Sequence, residues 1–288
     1  MMKSKLKYKE GRKQIANLYF QKLDDLALAY ELNTIETSFG DTNIITIGDN
    51  NPPLILVHGF YSCAPFAIET ILDLEKYFKI YAIDILGEPN LSEETSGVLK
   101  TENYAKWMYE ILSRLQIYNA YFIGFSLGGF IGLKSLVLNS TRFKKAFLIN
   151  PSGIVKFNTI PVLVQILLPS IGFKYTNRER YLKKIQKGIF TEVDLFSHKF
   201  LKTILLFCKL KPVTNDLIFR KEANSITTRL YIIASEDGVV FSGKKLLKKT
   251  KKMFPSLEEV IFFPKGKHIL SAKQHKFIVD YILKTINS

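Results

Sequence analysis

Between residues 53 and 150, short continuous apolar runs alternate with stretches of helical spacing, and no other feature of the chain restricts its fold so tightly. "PPLILVHG", "KIYAIDI" (79–85), residues 119–125 and "KKAFLIN" (144–150) read as strands buried on both faces. Residues 65–78, 101–115 and 127–139 read as helices. Strands of this kind, each followed by a helix, predict a parallel sheet covered on both sides. Residues 152–224 then show helical patterns alone. "RLYIIAS" (229–235) resumes the strands, followed by a helix over 242–252, "LEEVIFF" (257–263) and a closing helix over 273–286. The helical segment is thus expected to be an insertion. The predicted organisation is an N-terminal helical extension over 1–34, a core over 35–151 and 225–288, and a helical lid over 152–224. In the extension Ile15, Leu18, Tyr19, Leu23 and Leu26 keep helical spacing. "TIETSFGDTNIITIGD" reads as two short β runs about a Gly-Asp turn.

"YFIGFSLGGFIGL" (121–133) places Ser126 where a buried strand turns directly into a helix. So sharp a turn forces an unfavourable backbone conformation on the serine and crowds the residues two before and two after it. Glycine at 124 and 128 removes the clashing Cβ atoms. This is Gly-x-Ser-x-Gly, a nucleophile elbow, with the strand before and the helix after that the motif requires. No Gly-Lys-Ser/Thr follows, which excludes a Walker-type loop, and the dinucleotide fingerprint Gly-x-Gly-x-x-Gly is absent.

A serine hydroxyl is a weak nucleophile near neutral pH and needs a base, which in turn needs an orienting acid. Of the four histidines, His268 follows the last strand and should end on the same sheet edge as Ser126. His58 is expected to be structural, His198 to belong to the lid surface and His275 to be solvent-exposed. Past the strand at 229–235 come Glu236 and Asp237; Asp237 is the preferred acid and Glu236 its alternative. Position 150, after another strand, is an asparagine and offers no acid, while Asp84 reads as a loop-capping carboxylate. The oxyanion formed in acyl transfer needs backbone donors, expected from Leu127, next to the nucleophile, and Phe60, in the loop after the strand that ends at His58. Among the apolar residues of the lid, Leu163 and Leu167 are expected to line an acyl pocket.

The order Ser126, Asp237, His268, each after a strand, is that of the α/β-hydrolase triad. With it, "TSFGDTNIITIGDNNPPLILVHGF", "YAIDILGEPNLSEETSGVLKTENYAKWM" and "FIGFSLGG" resemble bacterial α/β-hydrolases, and more narrowly carboxylesterases of the naproxen-esterase type. "IIASEDGVVF" and "GKHIL" match more loosely. The resemblance covers roughly 35–150 and 225–288. It implies an α/β-hydrolase fold, a mostly parallel eight-stranded sheet flanked by helices with a helical lid, and ester hydrolysis through an acyl-enzyme; the reading adopted is a serine hydrolase acting on a carboxylic ester or thioester. Two positions depart from the pattern: Lys267 stands where many relatives have glycine before the histidine, and Glu88 where many have a second glycine after Gly87. The alternatives are other chemistry on the same site (carbon–carbon bond hydrolysis, lactone opening, acyl transfer) or a hydrolase-fold protein that only binds a ligand.

Lys and Arg total 41 against 26 Asp and Glu, a formal charge of +15 in 288 residues. The six lysines of "GKKLLKKTKK" (243–252) flank Leu246 and Leu247 as a solvated helix face would. No basic stretch carries a nucleic-acid motif, so no nucleic-acid partner is expected. Two cysteines, Cys63 and Cys208, support neither a disulfide framework nor a four-ligand zinc site, and fit a reducing compartment. The charged N-terminus lacks the apolar run of a secretory signal. The apolar stretch 154–173 contains Lys156, Pro161 and Pro169 and is a poor transmembrane span. A cytoplasmic enzyme is expected, with a small-molecule substrate, no cofactor, no metal and no integral membrane association. The oligomeric state is not legible.

Overall fold

A computed structural model describes residues 2–49, 52–94, 101–208 and 216–286. After a long first helix, α1 (Met2–Leu26), strands β1 (Tyr30–Thr37) and β2 (Gly40–Ile47) form a hairpin. β3 (Pro53–Val57), α2 (Ala64–Glu69), β4 (Lys79–Ile83), α3 (Thr101–Arg114), β5 (Ala120–Phe125), α4 (Leu127–Leu138) and β6 (Phe143–Ile149) then alternate. The insertion supplies α5 (Thr159–Val162), α6 (Leu168–Thr176), α7 (Glu179–Ile189), α8 (Leu195–Phe207) and α9 (Arg220–Ser225). β7 (Arg229–Ser235), α10 (Gly243–Met253), β8 (Leu257–Phe263) and α11 (Ala272–Ile286) complete the chain.

The eight strands form one sheet in the order β1-β2-β4-β3-β5-β6-β7-β8. β2 runs antiparallel to both its neighbours, and from β4 onward every pairing is parallel. The period-2 geometry of a strand explains why the central runs are apolar throughout. Ile55, Val57, Phe122, Leu148 and Ile232 face a core with Trp107 and Ile111 of α3, Phe130 of α4 and Leu246 of α10. Their immediate neighbours Leu54, Leu56, Ile123, Phe147 and Ile233 face a second core with Tyr19 of α1, Ile68 of α2 and Ile282 of α11.

Two expectations are corrected. The helix read over 65–78 is broken: α2 ends at Glu69, Thr70 Oγ1 bonds back to Ala67 O at 2.7 Å, and a 3-10 turn covers Leu72–Lys76. The extension also stops short of 34. β1 begins at Tyr30 and pairs in unbroken register from Tyr30–Ile47 to Thr37–Gly40. Its first residues are exposed at the sheet edge, Tyr30 and Leu32 included, so no core-facing run separates them from the extension.

In the lid, a five-residue π-helical stretch (Leu163–Leu167) joins α5 to α6, making 159–176 one continuous helix. Pro169 in the first turn of α6 has no N–H for the carbonyl four residues back, and the wider π turn precedes it. Phe173, Leu182, Ile185 and Leu205 give the lid a small core of its own. Lid and core are nonetheless stitched together. Phe190 bridges to Ile269, and Ile269 N donates to Ile189 O at 2.8 Å.

Candidate active site

The strand-to-helix turn holds Ser126 at φ 49°, ψ −107°, a left-handed backbone that a non-glycine residue adopts only under constraint. The constraint is visible on both sides. A Cβ on Gly124 would lie 2.6 Å from Gly128 O, and one on Gly128 would collide with the carbonyls of Val57 and His58. Gly128 N donates to His58 O at 3.1 Å, so the elbow is pinned to the end of β3. The hydroxyl therefore stands above the sheet edge at the N-terminus of α4.

His268 Nε2 lies 3.0 Å from Ser126 Oγ. Residues 142 apart in sequence thus make the base–nucleophile contact that serine attack requires. Burial lowers the His268 pKa from 6.5 to about 4, so the ring is neutral near pH 7 and free to accept a proton. The edge of Phe241 packs against the ring at 5.2 Å between centroids. The loop carrying the histidine is fixed by Asn150, Ser235 and Thr191. Asn150, buried at the end of β6, donates from Nδ2 to His268 O at 2.9 Å while its Oδ1 accepts from Ser235 N, also at 2.9 Å. From the lid, Thr191 Oγ1 accepts from Lys267 N at 2.9 Å. The departure at Lys267 thus leaves a well-held loop.

The two acidic candidates separate. Glu236 Oε2 accepts from Lys244 N at 2.6 Å, so this carboxylate serves the start of α10. Asp237 is exposed, and its N–H donates to Gly266 O at 2.9 Å. Its neighbour Gly238 lies against the His268 backbone. Among the described residues no hydrogen bond joins the Asp237 carboxylate to the imidazole.

The loop after β3 passes directly over the nucleophile, with Gly59 against Ser126. Its two possible donors are distinguished by Glu88, whose Oε2 accepts from Tyr61 N at 2.6 Å. That leaves Phe60 N–H, with Leu127 N–H at the first turn of α4, and among the described residues neither is taken up in a hydrogen bond. Tyr61 has φ +52°, so Glu88 holds a strained residue in place beside the proposed donor.

The remaining histidines divide in two ways. His58 is buried beneath the loop as expected. Its Nδ1 donates to Gly59 O at 2.7 Å and its Nε2 accepts from Ile85 N at 3.0 Å, which defines a neutral tautomer, and burial lowers its pKa to about 4. His198 is on the lid, with Nδ1 3.3 Å from Gln186 Nε2. His275 corrects the sequence reading. It is half-buried at the start of α11, packs edge-on to Phe125 at 6.3 Å and lines the cavity beside the serine. Its helical position shows only that it shares a turn with exposed residues, which is why sequence placed it in solvent. Asp84 is the loop cap expected, accepting from Ala64 N and Asn43 Nδ2, both at 2.8 Å. Cys63 is buried and burial raises its thiol pKa, so it is a core residue.

Above Ser126 opens a cavity of about 290 Å3. Phe66, Phe125, Phe196 and Phe200 line it, with Val162, Ile166 and Leu167 of the lid. Leu167 thus borders the cavity, whereas Leu163, one turn earlier, lies outside the lining and is 43% exposed. Three residues that sequence reasoning passed over complete the site. Ser152 Oγ lies 3.4 Å from Ser126 Oγ and carried no signal. Asn150 was dismissed for lacking a charge. Glu88 did carry a signal, the departure from the expected glycine.

Residues 52–180 match the family model described as alpha/beta hydrolase fold. In sequence the chain is 24% identical to the uncharacterized carboxylesterase nap of Bacillus subtilis, over 88% of this chain and 86% of that one. It is likewise 24% identical to carboxylesterase YbfK of Bacillus subtilis, over 92% and 90%. In structure it superposes on naproxen esterase from Bacillus subtilis with a TM-score of 0.82 at 22% identity, covering 95% of this chain and 97% of that one. Sequence and architecture lead to the same place: the chain has the α/β-hydrolase fold and is similar along nearly its whole length to bacterial carboxylesterases.

Proposed function

We propose that the protein hydrolyses carboxylic esters or thioesters with an apolar acyl or alcohol part, through an acyl-enzyme on Ser126. The observation that carries this reading is the 3.0 Å contact between Ser126 Oγ and His268 Nε2 on a strained elbow beneath an aromatic-lined cavity. As Ser126 Oγ attacks the carbonyl carbon, its proton passes to His268 Nε2 and the carbonyl oxygen gains the charge. The Phe60 and Leu127 amides receive that charge, aided by the positive end of α4. When the tetrahedral species collapses, His268 returns the proton to the leaving alcohol or thiol. Water then repeats the sequence on the acyl-enzyme.

Asp237 is assigned the orienting role on Nδ1. It is an exposed side chain on a loop packed against His268, and it takes that role by turning inward. The resemblance to carboxylesterases supports a small-molecule ester as substrate. That neither Cys63 nor Cys208 is held in a disulfide supports a cytoplasmic location. The test is a panel of chromogenic esters of graded acyl length, with wild type and Ser126→Ala side by side. Turnover that favours apolar acyl groups and vanishes in the variant is expected. A variant as active as wild type overturns the reading.

A further inference from the structure

The lid helix 159–176 has two apolar faces, and among the described residues only one is packed against the rest of the molecule. Val162, Ile166 and Ser170 turn toward the cavity, and Phe173 enters the lid core. On the opposite face Ile160, Leu163, Val164, Leu168, Ile171 and Tyr175 are 73%, 43%, 42%, 53%, 49% and 85% exposed. Leu167, at the border of the two faces, is also 44% exposed. These positions recur three or four residues apart, as one stripe along a helix about 27 Å long.

The hairpin that carries this stripe is strongly basic. From 174 to 187 stand Lys174, Arg178, Arg180, Lys183, Lys184 and Lys187 against one carboxylate, Glu179. That carboxylate is already committed, accepting from Lys202 Nζ at 2.6 Å. All six cations are exposed, and four of them form one face of α7, which packs alongside α6 through the shared lid core. An apolar helix face bordered by cations is the pattern of a helix lying in a lipid headgroup region, its apolar side in the acyl boundary and its charges on anionic headgroups.

We infer that the lid hairpin is a docking surface for an anionic lipid bilayer, which sets the mouth of the cavity against the membrane. The charge argues for lipid over a second copy of the chain. Like charges along α7 would repel in a symmetric pair, whereas each adds about fivefold to partitioning onto an anionic surface. The helix is long and apolar enough to cross a membrane, but its inner face is committed to the cavity and the lid core. It therefore lies along the surface. Docking does not depend on catalysis. That the bilayer also presents the substrate's acyl chain rests on the ester-hydrolase reading above.

The test is flotation with vesicles of phosphatidylcholine mixed with phosphatidylglycerol, and with vesicles of phosphatidylcholine alone. Wild type should float with the mixed vesicles, far less with the neutral ones, and less as salt rises. Leu168→Asp combined with Ile171→Asp should reduce binding at least roughly thirtyfold, since both side chains enter the acyl boundary. That variant should keep the wild-type melting temperature and turnover of a water-soluble short-chain ester. Ser126→Ala should float like wild type, which separates docking from catalysis. Wild type that stays with the soluble fraction, or binds both lipids equally, overturns the inference. So does a wild-type dimer in sedimentation velocity that the double variant splits, if no flotation accompanies it. Should the double variant lose its fold, the lipid and salt response of wild type alone decides.

Discussion

Removing the Glu88 carboxylate should weaken turnover without touching a reacting atom. Glu88 Oε2 accepts the Tyr61 N–H at 2.6 Å and is 5% exposed. A buried hydrogen bond to a charged acceptor is worth about 1.5–3 kcal/mol. It holds Tyr61 at φ +52°, a conformation that costs a bulky residue on the order of 1–2 kcal/mol. In Glu88→Ala that restraint is gone, Tyr61 relaxes, and the adjoining Phe60 N–H moves off the oxyanion position. The ceiling is complete loss of one oxyanion donor, about 3–4 kcal/mol, and partial misplacement should cost roughly half. kcat should therefore fall about ten- to thirtyfold, with KM changed by less than about threefold, because the donor acts on charge that develops in the transition state. Glu88→Gln retains an oxygen acceptor and should lose only a few-fold. The assay is steady-state hydrolysis of a short-chain chromogenic ester by variants whose melting temperatures show them folded. A folded Glu88→Ala with kcat within about threefold of wild type would refute the chain of reasoning from Glu88 through Tyr61 to Phe60.

Asp237→Asn should cost at least about a hundredfold in kcat while leaving the melting temperature unchanged, because the exposed side chain contributes nothing to packing. A mild effect would mean that His268 works without a carboxylate. Asn150→Asp should destabilise the fold by about 3 kcal/mol or more in urea titration, since it sets a buried carboxylate against the His268 carbonyl in place of an N–H donor. Unchanged stability would contradict the clamp. Stability should also fall as pH drops from about 6.5 toward about 4. His58, His268 and His275 have native pKa values lowered to about 4 by burial, so the unfolded chain binds these protons first. Asp84, raised to about 6 by burial, works in the opposite sense within this window and offsets one histidine of the three. A melting temperature that stays level or rises between pH 7 and pH 4.5 would contradict this.

The parallel core was legible because both-face burial writes continuous apolar runs into the sequence. Ser126 was legible because the elbow needs glycine at two fixed offsets. His268 could be placed by its position after β8, since strands of a parallel sheet end on one edge. What escaped has a common physical cause: it depends on partners remote in sequence. The Asn150 clamp joins β6 to a loop 118 residues away. The Phe190–Ile269 bridge ties the lid to the histidine loop through backbone groups that leave no side-chain signature. The inward turn of His275 follows from packing against Phe125. Leu163 and Leu167, indistinguishable in composition, differ because only Leu167, at the border of the two helix faces, reaches the cavity. Glu88 was visible only as an irregularity, and its role emerged once its carboxylate was seen on Tyr61 N–H.

The most direct test of the central claim is covalent. Incubated with a fluorophosphonate near neutral pH, the wild-type protein should gain the mass of one phosphonyl group, and peptide mapping should place it on Ser126. His268→Ala should label far more slowly and Ser126→Ala not at all. Labelling that survives Ser126→Ala, or a wild type that remains unmodified while folded, would contradict a serine nucleophile activated by His268.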